Sequence, residues 1–446
     1  MERAEEDRLA PWALRSADAT RRHEVGDEGR AFDYRTHFQR DRDRIVYSRA
    51  FRRLRHKAQA GILPEYEDHR RNRLTHTLEV AQLARTLGRA LGLNEDLVEG
   101  VALGHDLGQP PFGPVGAEAL ADLLSGRLDG RGGAGLGDLG GFSIAWQGLR
   151  VVDTLEKRYD HPGLNLTDAV REGIFKTHPP AAGAAETIEG FDPGAPPPFE
   201  IQAVALADRI ATAIHDLDDA LQAGAVAVAE VERLQAVREL RKKLGARYRA
   251  RASRFMKINT IHRGLTHLLV TGATLASGSS LARWAERHGV TDPKSFRRAR
   301  GAVEGSEVRL PAAGLRLLED LEGFLEGRVR RGFEADRVAA RGRRVVLGLF
   351  AAYLGDPTLL DDHVLLRFKQ TGALRYLRDL PRDAVETEVG RRYRSSPVFA
   401  RVVADHVAAM TDAYALVEHG RLMEIGAVPI PSVEQLRRER GEPAPD

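Results

Sequence analysis

The 446-residue sequence contains no cysteine, so it can form neither disulfides nor thiolate metal sites, and it offers no cysteine nucleophile. Any metal it holds must be ligated by histidine, aspartate or glutamate. Long apolar runs are also missing: none approaches the roughly 18 to 20 residues that a helix needs to cross a bilayer. The opening residues, MERAEEDRLAPWALRS, lack the apolar core of a signal peptide, so the expected compartment is the cytoplasm, with no membrane partner. Nor is there an excess of one charge. With 67 Lys and Arg against 64 Asp and Glu the formal net charge is +3, and no block of like charge is long enough to make a polybasic tail. That balance suits local anion-binding sites better than a general nucleic-acid surface, because affinity for duplex phosphate comes from clustered excess charge. Strand-like alternation is scarce, and no internal repeat is evident.

What is present is helical periodicity, which predicts an all-α fold. Residues 74–91 place Leu74, Leu78, Ala81, Leu83, Ala84 and Leu87 close to a 3.6-residue repeat, and residues 96–106 form a second helix ending at Gly108. Two loops, 126–141 and 179–198, flank a helix over 144–159. A long helix over 200–223 sets Asp208, Thr212, His215 and Asp216 on one face. Helical patterning continues over 226–244, 254–276, 310–354 and 401–420. The expected organisation is an N-terminal segment (1–60), a metal-binding core (61–225) and a helical C-terminal extension (226–446).

The stretch GHDLGQPPFGPVGAEAL, from Gly104 to Leu120, carries the first chemistry. His105 and Asp106 sit at the end of an apolar helical run that Gly108 and Pro110-Pro111 cut off, which presents two ligand side chains at a helix terminus. The dipeptide alone says little, since it recurs at His215-Asp216. Its context says more. RLTH brings His76, VALGHDLG brings His105 and Asp106, and ALADRIATAIHDLDDAL brings Asp208, so three helices could deliver four donors to one ion. Imidazole and carboxylate suit Mn, Fe, Ni, Co or Zn, and Mg can use the same donors with water completing its shell.

These segments resemble the HD-domain phosphohydrolases, and specifically the deoxynucleoside triphosphate triphosphohydrolases (dGTPase-like proteins). The resemblance runs over nearly the whole chain, through DYRTHFQRDRDRIVYSRAFRRLRHKAQ, NRLTHTLEVAQLARTL, GHDLGQPPFG, GLNLTDAVREGI, the Asp208 helix and VVADHVAAMTDAYAL, in that order. It implies an HD-domain helical core and His76, His105, Asp106 and Asp208 as metal ligands. It further implies Arg73 as a phosphate contact, Gln59 beside the deoxyribose and Asp216 as a pocket carboxylate that orients the nucleophile or a neighbouring group. Arg52 and Arg53 are phosphate contacts or partners of nearby acids. The implied partner is a deoxynucleoside triphosphate, and the implied assembly a homo-oligomer. In such enzymes water attacks the α-phosphorus, releasing a deoxynucleoside and triphosphate, so catalysis rests on positioning and charge stabilisation.

The chain departs from that pattern where protons are handled. Against a typical HDLGHPPFGHxGE it has Gln109, Pro114 and Ala117, with Glu118 one residue late and so turned by about 100° on a helix. Against GFEHNAQ it has Ser143, Ile144 and Ala145, and Thr212 stands where a phosphate-binding tyrosine is common. None of these replacements titrates near neutral pH. Three readings are therefore open. One is a phosphohydrolase with altered substrate or weak turnover, its pocket more apolar at Ile144 and Trp146, and its acid or base supplied by His56, His69, His178 or Glu118. Another is a non-hydrolysing nucleotide sensor or regulatory subunit. The third is a single-stranded nucleic-acid-binding protein with a vestigial site, using arginine-rich segments 294–300 and 328–344.

Overall fold

The computed structural model describes residues 5–23, 34–59, 71–127, 139–180, 187–250, 253–371 and 375–423. Among them every regular element is helical, and β contacts occur only as isolated bridges. The first eight α-helices are α1 (His37–Val46), α2 (Arg49–Arg53), α3 (Arg73–Ala90), α4 (Glu95–Gly104), α5 (Gly113–Leu124), α6 (Ile144–Arg150), α7 (Asp168–Thr177) and α8 (Phe199–Gln222). They are followed by α9 (Val228–Val231), α10 (Gln235–Leu244), α11 (Ala246–Arg249), α12 (Arg254–Arg287), α13 (Pro293–Ala299) and α14 (Ala312–Leu325). The last five are α15 (Phe333–Gly355), α16 (Asp362–Gln370), α17 (Arg382–Arg392), α18 (Pro397–Ala408) and α19 (Asp412–Met423).

The chain forms two compact units, residues 1–109 with 143–339 and residues 110–142 with 340–446. These units interleave along the sequence, whereas the expected boundaries at 60 and 225 run in chain order. In the second unit, Leu120 and Leu124 of α5 pack with Val346, Leu349 and Phe350 of α15 and with Phe399 and Val403 of α18. The Arg343 guanidinium holds Asp122 at 2.7 Å. No helix among the described residues is long and apolar enough to cross a membrane.

The first unit carries the predicted donors. Its helix α3 starts where Asn72 accepts from the Thr75 amide while the Thr75 hydroxyl accepts from the Asn72 amide, a reciprocal cap that satisfies two amides the helix cannot. The buried face runs through His76, Thr77, Val80, Leu83, Ala84 and Leu87. Leu78, expected on that face, is 51% exposed, because the stripe turns toward α4 and α8, on which α3 packs. Helix α4 is capped by Asn94, carries Glu95 and Asp96 at its positive end, and is buried along Leu97, Val98, Val101, Ala102 and Leu103. It ends at Gly104, so His105 and Asp106 lie in the turn that follows rather than inside a helix reaching 106.

Two glycines let neighbours approach this turn. A β-carbon on Gly104 would lie 2.8 Å from Cδ1 of Ile174, so its absence admits α7. One on Gly108 would lie 2.1 Å from the Ile144 carbonyl oxygen and 2.4 Å from the Gly148 nitrogen. Both of those are backbone atoms, which no rotamer change can move aside. Gly108→Ala is therefore expected to destabilise the protein by roughly 1–3 kcal/mol, read as a lower urea midpoint. Gly100→Ala, whose β-carbon would meet nothing nearer than Val170 at 3.6 Å, serves as a tolerated control.

Other boundaries differ from expectation for local reasons. The helix expected over 144–159 continues past α6 only as a π-turn, Val151–Leu155, because Glu156 turns away to accept from the Arg49 and Ala50 amides that open α2. The run expected over 310–354 breaks at Arg331 and Gly332 after a second π-turn, Glu326–Arg330. The run over 226–244 divides into α9 and α10, and that over 401–420 into α18 and α19. Helix α12 outlasts its expected end at 276 and reaches Arg287. Of the two expected loops, 128–138 and 181–186 lie outside the described residues.

Candidate metal centre

Helices α3 and α8 and the turn after α4 converge on one cluster. His76, one turn into α3, points Nε2 at Oδ1 of Asp208, midway along α8, at 3.0 Å. His105 Nε2 lies 3.6 Å from the same oxygen and 3.8 Å from Oδ1 of Asp106. Donor atoms of His76, His105 and Asp106 all fall within 4.8 Å of one another, and so do those of His105, His178 and Asp208. The ring of His105 is oriented by Nδ1, which donates to the Ala102 carbonyl at 2.6 Å and so turns Nε2 inward, between the two carboxylates. That Nε2 is buried and has no hydrogen-bond partner. A buried, unpartnered imidazole nitrogen between two carboxylates is what a divalent-cation site offers, and the hard-and-borderline donor set fits the metals the sequence suggested.

The electrostatics agree. Burial works against a charge on His105, but Asp106 and Asp208 outweigh it and raise its pKa to about 9. Burial would raise both carboxyls, yet Arg73 and His105 beside Asp106, and His105 and His76 beside Asp208, hold them well below the usual carboxylate range. The two carboxylates thus favour positive charge between them.

Arg73, the first residue of α3, is buried and donates to Asp106 at 3.1 and 3.4 Å, with further bonds to the Ala58 and Gln59 carbonyls. Gln109 donates its amide N–H to Asp106 at 3.1 Å, and Lys57, a buried ammonium the sequence reading did not single out, donates to the Gln109 carbonyl. The side-chain oxygens of Gln59 and Gln109 are both buried without a partner. Thr212 donates to Asp208 at 3.3 Å. Asp216 is placed differently. Eight residues beyond Asp208 on α8, or about 12 Å along the axis, it pairs with Arg330 at 2.7 Å.

Among the alternative acids and bases, His178 reaches the cluster. It follows the last residue of α7, and its Nε2 lies 3.8 Å from both Asp106 Oδ1 and Asp208 Oδ2. His56 is exposed in a 3-10 turn, Glu118 lies on α5 in the second unit, and His69 falls outside the described residues. Arg52 and Arg53 are exposed, and Trp146 packs edge-on to Phe175 at 5.0 Å. His215, to which the sequence assigns no role beyond a place on the Asp208 face, touches His76 directly, with the two Nδ1 atoms 3.0 Å apart. Its spacing of seven from Asp208 on one helical face was the available signal.

Near the end of α8, Asp219 is raised to about 6 by burial, against the pull of Arg71 and with the Asp218 and Asp216 carboxylates adding to the rise. The folded protein holds an extra proton here between the ordinary value of 3.8 and about 6. This contribution to stability is complete below about pH 4 and is lost as pH rises through 6. Asp219→Asn stays neutral throughout, and Arg71 keeps Asp218 at 2.7 Å. The urea midpoint of the variant relative to the wild type should therefore rise between about pH 4 and pH 7.

An all-helical scaffold presenting histidines and aspartates in this way is that of an HD-domain protein, and residues 73–213 match the HD domain family, whose members are metal-dependent. Over a greater length the chain is similar to proteins named deoxyguanosinetriphosphate triphosphohydrolase-like protein. That of Syntrophus aciditrophicus is 37% identical over 421 residues, covering 93% of this chain and 94% of the relative. That of Bordetella pertussis is 37% identical over 397 residues, 88% and 91% respectively, and that of Ralstonia pickettii 35% over 425, 94% and 96%. The chain belongs to this dGTPase-like family of HD-domain nucleotide phosphohydrolases.

Proposed function

We propose that the protein is a metal-dependent phosphohydrolase that converts a deoxynucleoside triphosphate and water into a deoxynucleoside and triphosphate. The observation that carries this reading is the convergence of His76, His105, Asp106 and Asp208 with His105 Nε2 buried and unpartnered. A divalent cation held by these four supplies Lewis-acid polarisation of a phosphoryl oxygen. Arg73 and Lys57 add fixed positive charge on the Gln109 side of the cluster, suited to a phosphate chain. The unpartnered oxygens of Gln59 and Gln109 can each accept from a hydroxyl, of a sugar or of the attacking water. His178 is the remaining imidazole at the cluster and can take the water's proton as its oxygen bonds to the α-phosphorus, then return that proton to the nucleoside oxygen as its bond to phosphorus breaks. Asp216, engaged by Arg330, has no part in this scheme.

The test is an assay of the purified protein with Mn or Mg and a panel of nucleotides, resolving nucleoside, triphosphate and phosphate. Triphosphate release that depends on added metal supports the reading. Nucleotide binding without product favours the sensor, and single-stranded DNA binding with a steep salt dependence in place of nucleotide binding favours the third reading. The homo-oligomer is checked by light scattering.

A further inference from the structure

We propose that Glu79 and His215 are positioning residues for the metal centre: they form an outer relay that fixes His76 as a ligand through Nε2. The inference rests on the metal-centre reading above and assigns a role to two residues outside the four donors.

The geometry is a chain of three links. His76 faces the cluster with Nε2, while its Nδ1 lies 3.0 Å from Nδ1 of His215. The two rings meet edge to face at 85°. His215 in turn places Nε2 2.7 Å from Oε2 of Glu79. A carboxylate can only accept, so it sets the direction of every bond before it. His215 Nε2 carries the proton donated to Glu79, which leaves Nδ1 of neutral His215 as an acceptor. Only a proton on His76 Nδ1 can then occupy the contact between the two rings. His76 Nε2 is then free to take a cation: it faces Oδ1 of Asp208 at 3.0 Å, where two acceptors can meet only with a proton or a metal ion between them. A histidine ligand whose outer N–H is anchored on a carboxylate is a common way to fix tautomer and ring orientation. Here the carboxylate acts through a second imidazole.

The far end of the relay is itself held. Arg71 lies 3.4 Å from Glu79 and is fixed by Asp218 at 2.7 Å and Asp219 at 3.0 Å. Burial would raise the Glu79 carboxyl, but the hydrogen bond from His215 and the charge of Arg71 hold it to about 2, so it remains an acceptor. Glu79 lies one turn beyond His76 on α3, and His215 lies two turns beyond Asp208 on α8, so the relay joins the two helices that carry ligands from opposite sides. His215 is 2% exposed, with its ring also stacked on that of His262 at 6.2 Å.

The experiment measures Mn and Zn affinity of the full chain by competition with a chromophoric chelator, alongside the urea midpoint of the metal-free protein. Glu79→Leu, which leaves no acceptor for His215, and His215→Phe are expected to bind metal about 10- to 100-fold more weakly. His215→Gln, which can still accept from His76 and donate to Glu79, should recover much of the loss. A structural contact alone would lower the urea midpoint in these variants and leave metal affinity at the wild-type value, and that result overturns the proposal. If the wild-type protein binds neither metal, the metal-centre reading falls and takes the relay with it. If the wild type binds and the variants bind equally well, only the relay falls.

Discussion

Asp106→Ala should abolish metal-dependent turnover and weaken metal binding beyond the roughly 10- to 100-fold cost of losing an outer partner. It should also lower stability by about 3–5 kcal/mol even without metal. Asp106 carries both roles because one fully buried carboxylate faces the cluster with His105 while accepting from Arg73 and Gln109. Removing it strands the Arg73 guanidinium, whose side chain is 8% exposed, with only two backbone carbonyls for company. An unpaired buried cation is the expensive half of a broken ion pair. Asp106→Asn separates the two roles. Its side-chain oxygen still accepts from Arg73, so the urea midpoint should fall less than in the alanine variant, while the loss of negative charge should weaken metal binding almost as much. Equal metal affinity in wild type and both variants would remove Asp106 from the donor set.

The candidate cluster was readable in the sequence because ligand chemistry narrows the choice to a few residue types, and because a helix terminus marked by Gly108 and Pro110 explains why His105 and Asp106 stand together. His76 and Asp208 were legible only as earlier and later members of a family order, since nothing in the local sequence says which helix faces meet. The same limit hid the rest. His178 lies 72 positions beyond Asp106 in the numbering, and it reaches the cluster because Gly104 lets Ile174 of α7 settle against the end of α4. His215 shares a face of α8 with Asp208 in the sequence, but nothing local says that this face meets His76, and the family resemblance points to Asp216 instead. The structure gives Asp216 a partner in Arg330, 114 positions away, which no periodicity reports. Helix breaks at the two π-turns were equally silent; at the first, Glu156 looks like an ordinary surface helix residue until its partners on α2 are known.

His178→Ala should reduce kcat by about a hundred- to ten-thousandfold, the range for a lost general acid or base, while leaving the fold intact. The fold is spared because the side chain is 30% exposed and its Nε2 has no hydrogen-bond partner to strand. The effect on kcat is large because Gln109, Pro114, Ala117 and Ile144 offer no side chain that titrates near neutral pH to take over the proton. Position decides between two roles for this ring. Its Nε2 is 3.8 Å from one oxygen of each carboxylate, close enough to serve water or a leaving group at the cluster, and close enough to add a fifth donor to it. A proton-handling role predicts a fall in kcat with KM and metal affinity within a few-fold of wild type. It also predicts partial recovery of rate by added imidazole, which can enter the space the side chain leaves. A ligand role predicts that metal affinity falls in step with kcat and that excess metal restores the rate. If kcat is unchanged, the chemistry runs on charge stabilisation by Arg73, Lys57 and the cation alone, and the weak turnover expected of such a site would follow from its missing acid and base.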